Sequence, residues 1–168
     1  MNNSNVLKNN IKDYHMPAYN EIPNVGLYLE QVVKYINSYL EPLTDNLITS
    51  SMISNNVKKG IVSNPVKKQY SREQIATLLY IAICKLSLSL EDIEILKEYG
   101  LKHFDTKEAY IYFCEEFEKN LLYVFGISKT NSPTNNHTDV QLLLSTTITA
   151  VTYQIYLNQL FKTINVDE

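Results

Sequence analysis

Five cations stand in a window of the sequence that holds no acid. Between Asn46 and Arg72 the side chains Lys58, Lys59, Lys67, Lys68 and Arg72 contribute +5, while the 168-residue chain carries a formal −3 at pH 7. The remainder therefore sums to −8, so the basic stretch is a local device and not a property of the whole chain. Concentrated positive charge of this kind suits a polyanion. Ser51, Ser54, Asn55, Tyr70 and Ser71 add hydrogen-bonding groups to the same stretch.

Catalysis has less to work with. No Gly-rich phosphate loop, no Ser/His/Asp grouping and no metal motif is legible. His15, His103 and His137 show no ligand spacing to one another. Glu115 with Glu118, and Glu91 with Glu94, stand at i, i+3 on charged helices and read as solvated faces. Cys84 and Cys114 are thirty residues apart on apolar stretches, which suits buried thiols in a reducing cytoplasm. No catalytic residue, metal or cofactor is expected, and the chain reads as a non-enzyme.

Positioning the basic residues falls to helices. Only 4 Gly and 5 Pro occur, against 45% hydrophobic residues. Apolar spacing at Val25, Leu29, Val32, Ile36 and Leu40 predicts a first helix closed by Pro42. A second runs over residues 49–59, with Thr49 or Ser50 as N-cap and Gly60 past its end. Residues 61–70 hold Pro65 and several β-branched residues, enough for a short hairpin or extended wing. Ser71-Arg72-Glu73-Gln74 is a capping box opening a third helix. Ser89-Leu90-Glu91-Asp92 opens a fourth that stops at Gly100, residues 105–125 make a fifth, and Thr138-Asp139-Val140-Gln141 opens a sixth. Residues 1–13 read as a flexible N-terminus without the apolar core of a signal peptide.

Wound at 100° per residue, the helix over 49–59 puts Met52, Ile53, Val57 and Asn56 inward. Ser51, Ser54, Asn55 and Lys58 then share an acid-free outer arc, the chemistry that reads base edges in a major groove. Lys67 and Lys68 on a wing, with Ser71 and the free N–H groups of the helix it opens, suit a phosphate run. A cation at a helix start runs against the dipole, so Arg72, the lone arginine, is expected to serve something outside its helix.

Val140 to Phe161 carries no charge over 22 positions, long enough to span a bilayer. Its many Ser, Thr, Asn and Gln residues rule that out and predict a helix against protein. Gln141, Ser145, Thr149, Thr152, Tyr156 and Gln159 fall within about 80° of one another on it. That face suits either a homodimer seam or the monomer's own core.

Ile53-Ser54-Asn55-Asn56-Val57-Lys58-Lys59-Gly60-Ile61-Val62, then Pro65, Tyr70-Ser71-Arg72-Glu73-Gln74-Ile75 and Leu88-Ser89-Leu90-Glu91-Asp92-Ile93, resemble the winged-helix module of MerR-type regulators. Met16-Pro17-Ala18-Tyr19-Asn20-Glu21-Ile22-Pro23-Asn24-Val25-Gly26-Leu27-Tyr28-Leu29 with Ser51-Met52-Ile53-Ser54-Asn55 resembles, more closely, a MerR-like bacterial domain-of-unknown-function family, number eighteen thirty-six. The resemblance covers roughly residues 14–100. It departs from the MerR pattern at Ser54-Asn55-Asn56, where those regulators usually carry Arg-Tyr-Tyr. The wing is shorter too, and no long heptad helix follows Gly100.

The expected fold is all-α: a winged helix-turn-helix with a short wing over 14–100, and an acidic helical pair over 101–168. The resemblance implies a cytoplasmic transcriptional regulator that binds double-stranded DNA. The uncharged face of the sixth helix, with the need for two half-site readers, adds the expectation of a homodimer through the C-terminal helices. The residues expected at DNA are Ser51, Ser54, Asn55, Lys58, Lys59, Lys67, Lys68, Tyr70, Ser71 and Arg72. A non-enzymatic protein-interaction adaptor of winged-helix shape is the alternative, and the Ser54-Asn55-Asn56 departure favours it.

Overall fold

The computed structural model describes residues 3–129 and 138–165, so His137 lies outside the described residues, as does most of the polar loop before Thr138. Among the described residues the chain forms seven α-helices and one two-stranded sheet. In order these are α1 (Asn3–Ile11), β1 (Leu27–Tyr28), α2 (Leu29–Leu40), α3 (Ser50–Lys58), β2 (Gln69–Tyr70), α4 (Arg72–Cys84), α5 (Leu90–Leu101), α6 (Thr106–Val124) and α7 (Asp139–Asn165).

Two expectations fail near the N-terminus. Within the expected flexible N-terminus, residues 3–11 form α1, which buries Leu7 and Ile11, one turn apart. The first predicted helix does not begin at Val25, which is 82% exposed. Gly26 takes φ +77° there, and the chain turns into β1 before α2 starts at Leu29. A Cβ on Gly26 would stand 3.1 Å from the Gln69 Cβ, tight enough that the paired strand would have to give by a few tenths of an ångström, on top of the strain of a left-handed φ.

The remaining helix starts follow their local chemistry. Ser71 Oγ accepts from Gln74 N while Gln74 Oε1 accepts from Ser71 N, and Asp105 and Glu108 cap α6 in the same reciprocal way. Ser89 Oγ accepts from Asp92 N, and Gln141 Oε1 accepts from Thr138 N.

One hydrophobic core runs through the molecule. Ile36, Ile75, Leu79, Phe113, Phe117, Ile148 and Ile155, from α2, α4, α6 and α7, all belong to it. Burying each such side chain stabilises the fold by about 1.5–3 kcal/mol, so residue 100, the expected domain boundary, is not a seam in the core. The segment before β1 is tied to α6 as well. Glu118 Oε1 accepts from Met16 N at 2.7 Å, and Tyr110 donates from its hydroxyl to Pro17 O at 2.8 Å. Glu118 thus has a structural role that its helical spacing to Glu115 does not reveal.

The expected C-terminal pair exists as α6 packed on α7, and the small polar face of α7 points inward. Thr152 is fully buried and donates to Asn120 Oδ1, while Gln159 donates to Leu43 O at 3.3 Å. Tyr156 meets Phe125 edge-on. No helix among the described residues is long and apolar enough to cross a membrane.

Candidate functional site

The outer face of α3 is the surface that the sequence pattern predicts. Thr49 caps the helix, accepting from Met52 N. Ile53 and Asn56 are buried, while Ser51, Ser54, Asn55 and Lys58 are exposed side by side. Asn37 of α2 seats the segment ahead of α3, a role the sequence reading missed. Its amide donates to Ile48 O at 3.0 Å and accepts from Ile48 N at 2.9 Å, as a neighbouring strand would. Past the helix end, Gly60 at φ +77° lets Ile61 N and Val62 N both bond the Asn56 carbonyl.

The segment expected to form a wing is a hairpin tip at the end of a two-stranded ribbon. β1 pairs antiparallel with β2, Leu27 opposite Tyr70 and Tyr28 opposite Gln69. Val66 and Gln69 exchange both backbone hydrogen bonds, at 3.1 and 2.9 Å, around a two-residue loop of Lys67 and Lys68. Both lysines have positive φ, 50° and 64°, the signature of a type I′ turn. Such turns favour Asn and Gly; a left-handed lysine costs roughly 1–2 kcal/mol. Both side chains are exposed at the tip.

The other predicted residues are less free. Tyr70 is only 4% exposed, and burial raises its hydroxyl above the ordinary phenol range, so it faces the core and not a phosphate. The pleat puts alternate residues on opposite faces, and Tyr70 occupies the inner one. Arg72 is spent inside the chain. Its guanidinium donates to Ile22 O at 2.7 Å and Asn20 O at 3.2 Å, and lies 5.8 Å from the centre of the Tyr19 ring. The expectation that Arg72 serves something outside its helix is met, but by the chain's own 19–22 segment. Ser71 is exposed, though its hydroxyl is engaged as the α4 cap.

Acids from other elements also reach the acid-free stretch. Ser50 donates to Glu30 Oε1 at 2.7 Å, and Lys59 pairs with Glu91 at 3.6 Å. The Glu91 carboxyl is held below the usual carboxylate range by a hydrogen bond from its own backbone N–H and then by Lys59. Among the described residues no carboxylate lies within 4 Å of Lys58, Lys67 or Lys68. Lys58 on the α3 face and Lys67 and Lys68 at the turn are thus without a carboxylate partner among the described residues.

Elsewhere the chemistry is quiet. No group of three or more His, Cys, Asp or Glu able to hold a metal occurs among the described residues. Cys84 and Cys114 are unpaired, and burial pushes both thiols up to about 12, away from reactivity.

A family model described as Domain of unknown function (DUF1836) matches residues 17–117. The chain belongs to that family. No match was found among curated proteins or among solved structures. The DUF1836 span begins at the Pro17 segment, takes in β1, α3, the lysine turn and α5, and ends inside α6. Every residue of the α3 face and the turn lies within it, whereas α1 and α7 lie outside.

Proposed function

We propose that residues 14–100 act as a MerR-like winged helix-turn-helix, with α3 in the major groove of duplex DNA and the Val66–Gln69 turn on the phosphate backbone. The protein is then a cytoplasmic transcriptional regulator, working as a homodimer joined through α7. One observation carries this reading: Lys67 and Lys68 both occupy left-handed positions that Asn and Gly fill at lower cost. A turn that holds two strained, unpaired cations outward, in a chain that also exposes a Ser/Asn/Lys helix face, fits contact with a polyanion.

Anisotropy of random-sequence duplex DNA through a salt series tests it. Each neutralised phosphate contributes about −0.9 to the slope of log K against log salt, so three free cations give a slope of roughly −3. The Lys67→Glu, Lys68→Glu double variant should flatten the slope to roughly −1 and weaken all duplexes alike. Asn55→Ala should instead cost about 1–3 kcal/mol on the preferred site alone.

A second reading, a protein-interaction adaptor, is favoured by the engagement of Arg72 within the chain and of Lys59 with Glu91. A slope near zero for the parent protein decides for the adaptor.

A further inference from the structure

A cavity of about 400 Å³ opens where the exit of α3 meets α4, α5, α6 and the start of α7. Its walls are largely apolar and aromatic, Ile61, Leu96, Phe104, Phe113 and Leu144 among them. Size and lining fall in the range of pockets that take small organic ligands.

The polar groups on this lining are unevenly matched. Lys97 is its one cation, half-buried, with its ammonium donating to the Ile61 carbonyl. Among the described residues no carboxylate stands within 4 Å of that ammonium. Glu73, the one acid on the lining, is exposed in the first turn of α4. An ammonium has three donors, so Lys97 retains capacity for an anionic acceptor at an apolar wall.

Gly100 supplies an independent observation. It is the last residue but one of α5. Its backbone is not left-handed, and a Cβ built on it meets no atom within 4 Å. Neither backbone conformation nor crowding therefore requires glycine there. Gly100 lines the cavity, and a side chain at that position has the cavity to grow into.

We propose that this cavity is a binding site for an amphipathic monocarboxylate, its carboxylate on Lys97 and an apolar body of roughly ten carbons against the aromatic wall. The same pocket touches Gly60–Ser63, and Gln74 on its lining donates to Ser63 O at 2.8 Å. An occupant thus contacts both the exit of the α3 face and the C-terminal helices. The binding claim stands apart from the DNA reading and is tested without DNA.

Isothermal titration of the full chain with decanoate, and separately with uncharged decan-1-ol, is the experiment. Decanoate should bind saturably with one site per chain. Gly100→Leu should weaken both ligands at least tenfold without lowering the melting temperature. Lys97→Met should weaken decanoate about tenfold, the scale of one charge-assisted hydrogen bond, and leave decan-1-ol unchanged. Should Gly100→Leu fail to fold, Gly100→Ala with its smaller intrusion takes its place and should weaken both ligands less. Absence of saturable decanoate binding overturns the proposal. So does wild-type affinity in a folded Gly100 variant, or an equal loss of both ligands in Lys97→Met.

Discussion

Lys67 and Lys68 occupy the two central positions of a primed turn, which lysine tolerates poorly because its Cβ crowds the following carbonyl at positive φ. Replacing the pair by Lys67→Asn and Lys68→Gly relieves that crowding and leaves the turn type unchanged. The double variant should gain roughly 1–2 kcal/mol in chemical denaturation and bind duplex DNA more weakly at every salt concentration. Unchanged stability would mean that the turn holds no strain; unchanged binding would take the turn out of the interface. The thiols set a second expectation at this scale. Burial lifts Cys84 and Cys114 to about 12, against an ordinary value of 9.0, and lifts Tyr14, Tyr80 and Tyr110 well above 10.0. Folded-state values raised in this way give stability that is complete below the unfolded-state pKa and is lost as pH rises toward the folded one. Stability should therefore hold up to about pH 9, then fall by up to about 1.4 kcal/mol per pH unit for each shifted group, steepening past pH 10 as unfolded-state tyrosines ionise. Thermal melts between pH 8 and 11 measure this, and a stability that stays level to pH 11 contradicts it.

The starts of α4 and α7 were legible because a cap is decided by residues three apart. Ser71 with Gln74 and Thr138 with Gln141 close the bonds their sequence announces. The phase of α3 was legible for the same reason, and Asn56 falls inward as the 100° step requires. Tyr70 and Arg72 were not, because the side chains that suit a phosphate also suit a core edge and a carbonyl pair; partners about fifty residues away decide between them. The facing of α7 was open for a further reason. Thr147 and Thr149 each donate to the carbonyl one turn back, at 2.9 and 2.8 Å, leaving largely methyl surfaces at little polar cost. Thr152 stands against the buried Asn120, so Thr152→Val should cost about 1–3 kcal/mol by leaving the Asn120 carbonyl without its donor. Thr152→Ser should recover most of that loss. Equal losses in both variants would assign the effect to packing and not to the hydrogen bond.

With its polar face spent on the core, α7 turns an apolar stripe outward along the length of the molecule. Leu143, Ala150, Leu157 and Ile164 recur every seven residues and are exposed, flanked by Tyr153 at 52% and Phe161 at 56% exposure. One apolar position per seven residues falls short of the a/d pair of a coiled coil, in keeping with the missing long heptad helix. It still gives a continuous exposed strip along which a second copy can lie. The stripe carries no charge that would repel a second copy, and Lys162 beside it is drawn to Asp45 of its own chain at 2.7 Å. Two copies would cover roughly 1,000 Å² in all, about the threshold for a specific interface. The stripe lies outside the DUF1836 span that carries the α3 face and the turn, so one surface can join two copies while the other meets a palindrome's half-sites. Tyr153→Lys with Leu157→Glu changes exposed positions and should leave the fold intact while making the protein monomeric in sedimentation at tens of micromolar. The same variant should lose preference for two half-sites over one. A parent protein that already sediments as a monomer ends the idea, as does a folded double variant that stays dimeric.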